Sequence, residues 1–169
     1  MQIIKYFMLF FVLLASSMIG KIFSKKYVMR VKELEEMDNC LNIFKTKINF
    51  THEPIPEIFE EIAENTSQNV GQVFKMAKEK MKNKTANASW EEAIDEGKNY
   101  LIKEDRYVLK TLSKLLGQTD VEGQISQIDI TKKFLETQIK EAKEQKTKNE
   151  KLYTKLGTTI GLAIIIILA

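Results

Sequence analysis

Side chains that could do chemistry are few and far apart. His52 is the one histidine and Cys40 the one cysteine in 169 residues. A transition-metal site needs several His, Cys or carboxylate ligands brought together. No second ligand of that kind stands near His52, which reads as a loop histidine. Cys40 has no partner for an intrachain disulfide. It falls in a helical pattern, where a small packed thiol is expected rather than a reactive one. Acid pairs occur at Glu60/Glu61, Glu91/Glu92 and Glu104/Asp105. Neighbours on a helix do not face each other, so such pairs read as solvated surface rather than as an acid and a base flanking one substrate. There is no glycine-rich phosphate loop and no nucleophile elbow. The chain reads as a non-enzyme, with no catalytic residue, cofactor, metal or small-molecule substrate.

Other residues have types and spacings suited to packing and recognition. Ser89-Trp90-Glu91-Glu92 predicts a capping box, with the Ser89 hydroxyl and the Glu92 carboxylate each satisfying an orphan amide. That places Trp90, the lone tryptophan, in the first turn of a helix. There it is expected to pack on neighbouring helices, with a partner contact as the alternative. Gly117 follows an apolar run as a helix stop. Gly157 and Gly161 form a GxxxG pair, a spacing that lets two membrane helices approach closely.

The elements that must position these residues show first in the charge layout. Lys5 is the only charged residue before Lys21, and none follows Lys155. Residues 6–20 are uncharged; with their apolar flanks, and Lys5 snorkelling, they give about 20 residues, or roughly 30 Å of helix. The uncharged end, with Leu152 and Tyr153, gives about 18 residues, or roughly 27 Å. Both read as membrane segments. Lysines crowd the inner side of each, so the positive-inside rule puts the intervening body in the cytoplasm of a bacterial cell and both termini outside. The alternative is a cleaved signal peptide, with Ala15, Ser16 and Ser17 near the cut, leaving an exported helical binding protein tethered by its tail. In the body, acids and bases are interspersed around a net charge of +3 for the whole chain. No basic stripe for nucleic acid is present.

With only Pro54 and Pro56 as prolines, and few glycines, helix is expected nearly throughout. Val31, Leu34, Met37, Leu41, Phe44 and Ile48 make one apolar stripe over about 25–49. The segment Thr51–Pro56 breaks it. Short helices follow around Ile55–Ile62, Val70–Met81, from Ser89 to near Gly97, and around Val108–Leu116. From about Asp120 a sixth helix carries a heptad seam: Val121, Ile125, Ile128, Lys132, Leu135, Ile139, Ala142, Lys146, Asn149, Tyr153 and Leu156. Nothing breaks it, so one helix is expected to run from the body into the tail.

Ser89–Ala93, the run Leu115–Asp120 followed by Gln124 and Gln127, and Leu152–Gly157 leading to Gly161 together resemble the stage III sporulation protein AB family of endospore-forming bacteria. The resemblance covers the full length. It makes Trp90, Glu92, Gly117, Asp120, Gln124, Tyr153, Gly157 and Gly161 the candidate structural or interaction residues. That family is similar to the cytoplasmic helical domain of the inner-membrane platform proteins of type II secretion and type IV pilus machines. The resemblance implies a non-catalytic platform or adaptor in the mother-cell membrane around the forespore, within the channel joining the two cells. Its bundle would dock a secretion-type ATPase, stage III sporulation protein AA, and other channel proteins of the same operon would build the rings. Platform proteins usually carry two copies of the helical domain, and this chain has one, which implies homo-oligomers or a second protein.

The expected architecture is thus all-α: a compact cytoplasmic bundle of about six helices flanked by N- and C-terminal transmembrane helices. The expected divisions are an anchor over 1–24, a bundle over 25–151 and a second span over 152–169. The polar loop Lys82–Ala88 and the Glu-rich surface Glu57–Glu64 are candidate docking faces for the ATPase.

Overall fold

The computed structural model describes residues 2–51 and 53–168. His52 lies outside them, as do several side chains of the first apolar segment. Six α-helices follow in order: α1 (Gln2–Phe50), α2 (Ile55–Glu64), α3 (Gln68–Lys80), α4 (Ala86–Glu96), α5 (Lys103–Lys110) and α6 (Val121–Leu168), with a 3-10 turn at Thr111–Lys114 between the last two. The chain divides into two compact units. One is the bundle, Lys32–Glu141; the other is a terminal helix pair, Met1–Val31 with Ala142–Ala169.

In the bundle the expected apolar stripe of α1 is the core. Leu34, Met37, Cys40, Leu41 and Phe44 are fully buried, and Ile48 nearly so. Phe59 of α2 and Phe74 of α3 meet edge to face, with ring centroids 5.1 Å apart, and Phe44 reaches Phe59 at 5.2 Å. Burying each large apolar side chain stabilises the fold by about 1.5–3 kcal/mol. The proline-bearing break falls where expected: Pro54 supplies the extended N-cap of α2, and Pro56 sits in its first turn.

Helix ends are closed by other helices as well as by their own residues. Glu36 of α1 accepts the Ser67 N–H at 2.6 Å and the Ser67 hydroxyl at 2.5 Å, placing a carboxylate at the start of α3. Arg106 of α5 donates to the Ile94, Asp95 and Gly97 carbonyls and to Asn99 Oδ1, gathering the free C-terminal carbonyls of α4. Asp120 caps α6 from its own side chain, its Oδ1 accepting the Gly123 N–H at 2.9 Å.

The heptad seam of α6 also holds. Within the bundle Ile128 and Leu135 are fully buried. Lys132, the polar member between them, pairs with Asp38 of α1 at 2.6 Å. In the terminal pair Ala142 is buried and Tyr153 half-buried, while Leu156 is exposed and its neighbour Gly157 takes the covered place.

The capping-box reading is corrected. Helix α4 begins at Ala86 with Thr85 as its extended N-cap residue, one turn before Ser89. The Thr85 hydroxyl makes no capping bond and turns to Asn87 Oδ1, but the Ala86-Asn87-Ala88 run can continue a helix and carries the start back one turn. Ser89 is interior and fully buried.

Among the described residues no helix is long and apolar enough to cross a membrane. The two expected spans are therefore not found there. Both fall partly on residues or side chains outside the described ones.

Candidate functional site

The candidate residues separate into the two units. Trp90, Glu92, Gly117, Asp120 and Gln124 belong to the bundle, and Tyr153, Gly157 and Gly161 to the terminal pair.

Trp90 is fully buried. Its ring lies 5.5 Å from Phe59 and 5.2 Å from Phe74, centroid to centroid, and its indole N–H donates to the Leu109 carbonyl at 2.8 Å. This is the packing role, with the polar end satisfied, and it leaves no indole surface for a partner. Glu92 does not cap. It accepts hydrogen bonds from Lys84 at 2.6 Å and from Lys80 at 3.0 Å, and these hold its carboxyl below the usual range. The expected helix around Val108–Leu116 is corrected: α5 stops at Lys110 and the 3-10 turn at Lys114, so Gly117 ends no helix but sits in the following turn with φ +69°, where a Cβ would meet the Ala86 Cβ at 3.1 Å. Gln124 donates to the Thr119 carbonyl at 3.3 Å.

The expected docking faces are tied internally. In the loop, Lys84 is held by Glu92. On the Glu-rich surface, Glu60 pairs with Lys78, and Glu61 with Lys47 at 2.7 Å. The Glu61 carboxylate, followed by Glu53, raises the pKa of Lys47.

In the terminal pair, α1 and α6 approach at backbone distance. A Cβ on Gly157 would lie 2.8 Å from the Ser16 carbonyl oxygen and 3.3 Å from the Gly20 Cα. A Cβ on Gly20 would lie 2.5 Å from the Tyr153 carbonyl oxygen. The Ser16 hydroxyl donates to the Gly157 carbonyl at 2.5 Å. Tyr153 stacks on Phe23 at 6.0 Å and on Tyr27 at 6.1 Å. Gly161 is buried. Gly157 of the pair thus makes its close approach within the chain, against Ser16 and Gly20, which repeat the same four-residue spacing on α1.

Sequence reasoning missed three polar residues. Glu33 is 1 % exposed, yet it joins α1 to two other segments, accepting from Asn69 Nδ2 and from the Tyr100 N–H, each at 2.6 Å. Glu36 and Arg106 act at helix ends, as described. None carries a signal in spacing; a Glu beside an apolar stripe looks like any surface Glu. Ser16 and Gly20 could have been found from their interval.

Burial, reinforced by the nearby Glu36 charge, pushes the Cys40 thiol up to about 12, which leaves it inert. Among the described residues no cluster of His, Cys, Asp and Glu could hold a metal.

These features define an all-α bundle protein with a close-packed pair of terminal helices. The chain belongs to the stage III sporulation protein AB family, whose model matches residues 5–169. A solved structure titled stage III sporulation protein AB is similar in fold: 22 % identity, 70 % of this chain and 96 % of that one covered, TM-score 0.63. No curated protein matches.

Proposed function

We propose that this protein is a non-catalytic membrane platform or adaptor in the channel between mother cell and forespore. Both ends anchor in the mother-cell membrane, and the cytoplasmic bundle docks a secretion-type ATPase, stage III sporulation protein AA. The sporulation family supports the setting. One structural observation carries the anchoring: the terminal pair is apolar outside and small within. Phe11, Met18, Ile22, Ile160, Leu162, Ile166 and Ile167 are all more than half exposed, while Gly20, Gly157 and Gly161 are buried. Water-soluble helix pairs invert that arrangement, whereas small residues between close helices with large apolar residues outside suit a lipid surround.

Two measurements test the proposal. Cysteines placed near Met1 and near Lys84 are expected to label from opposite sides of the membrane, and intact mass is expected to retain residues 1–24. Labelling from one side, or loss of that segment, would overturn the anchoring. The full chain in nanodiscs is expected to retain the ATPase on a column; no retention would remove the docking role.

A further inference from the structure

The terminal pair holds a groove of ≈ 470 Å³ beside its small-residue contact. Its walls include Ala15, Ile19 and Phe23 from α1, and Leu156, Ile160 and Ile164 from α6. Except for Ala15 and Ile164, each of these is close to half exposed or more, so the groove is open along its length. It could seat an acyl chain or a helix equally well on shape. Charge decides between them.

An aromatic ladder links the groove to a cation. Phe23 stacks on Tyr153, Tyr153 on Tyr27, and the Lys26 ammonium lies 5.0 Å from the centroid of the Tyr27 ring. Lys26 follows Phe23 by three residues and Ile19 by seven, on the same helical face. Among the described residues no carboxylate pairs with Lys26, an exposed lysine whose ammonium rests against the Tyr27 ring about one turn along α1 from the groove residue Phe23. The charge around it has one sign. Stretches 1–31 and 142–169 hold Glu144 and Glu150 as their only acids, against Lys21, Lys25, Lys26, Lys151, Lys155 and others. The bundle, 32–141, is net acidic. The excess positive charge of the chain thus sits on this unit.

From the groove and the ammonium one turn beyond it we infer that the terminal pair binds one anionic phospholipid, its acyl chain along Ile19, Phe23 and Ile160 and its phosphate on Lys26. This rests on the membrane reading above and adds headgroup selectivity to it. A helix of another protein would fill the groove without needing the cation. A zwitterionic lipid would fill it with less gain, because its own ammonium competes with Lys26 for the phosphate.

The test is native mass spectrometry of the full chain in detergent, titrated with phosphatidylglycerol or phosphatidylcholine of the same acyl chains. The anionic lipid is expected to be retained about fivefold or more in preference, the scale of one lysine at an anionic surface. Lys26→Gln is expected to erase that preference and Lys26→Arg to keep it. Ile160→Phe, which fills the groove, is expected to weaken retention of the anionic lipid. Equal retention of both lipids by the natural chain, an unchanged preference in Lys26→Gln, or unchanged retention in Ile160→Phe would each overturn the inference. Flotation with vesicles separates it from the reading beneath: a chain that fails to float defeats the anchoring, whereas one that floats but shows no preference defeats the lipid site alone.

Discussion

Ser16 and Gly157, 141 positions apart in sequence, meet through a hydroxyl donated to a carbonyl at 2.5 Å. The bond exists because Gly157 has no side chain to hold the helices apart. Gly157→Leu is therefore expected to separate the terminal helices, read as faster tryptic cleavage after Lys21 and Lys155 in micelles. Ser16→Ala removes one hydrogen bond, about 0.6 kcal/mol, and is expected to leave cleavage nearly unchanged. Equal effects of the two would mean that the hydrogen bond, not the close approach, holds the pair.

Trp90 offers an internal reporter, since no other tryptophan is present. Its burial between Phe59 and Phe74 predicts blue-shifted emission that moves to the red on unfolding. Trp90→Ala is expected to cost about 3–5 kcal/mol, the scale for a large aromatic removed from a core. A variant with an unchanged urea midpoint would contradict the packing.

Glu33→Leu leaves the Tyr100 N–H and the Asn69 amide without their acceptor. A fully buried donor left unsatisfied costs about 1–3 kcal/mol; these two are only part-buried, so the loss is expected toward or below the low end of that range. Loss of stability with intact helicity by circular dichroism is expected. A neutral outcome would mean that water replaces the carboxylate.

Glu92 gives a pH dependence. Its hydrogen bonds to Lys84 and Lys80 lower its pKa from the ordinary 4.5, so the folded state favours the charged form. Its contribution is complete above that ordinary value and is lost as pH falls through the lowered one. Between pH 6 and 3 the natural chain is expected to lose more stability than Glu92→Gln, by urea titration. The difference is small, because exposed pairs contribute little. Parallel curves would remove Glu92 from the acid response.

Leu135 and Leu112 are buried to within 1 % of full cover. Lys at either is expected to melt the bundle, because an unpaired buried charge costs several kcal/mol. Unchanged thermal unfolding would show the core packing to be misassigned.

Much of the bundle was legible from spacing. The stripe from Val31 to Ile48 and the seam members Ile128, Leu135 and Ala142 are buried as the three-and-four rhythm requires. Asp120 announces a helix start through local chemistry, which needs no distant partner, whereas the stop read at Gly117 fell earlier, at Lys110. Ser89 misled because a capping box describes a local option, and the helix starts one turn earlier after Thr85, burying Ser89 in its interior.

Sequence by itself settled the helical class, the proline break, the charge layout and the faces that must be covered, because backbone propensity and side-chain periodicity act over a few residues. Only the tertiary structure decided which cover meets which face. It turned Gly157 onto Ser16 and Gly20 of the same chain, and it placed Glu33 where two distant donors converge. Close approach and buried hydrogen bonds depend on where far-off backbone arrives in space, and no local spacing encodes that.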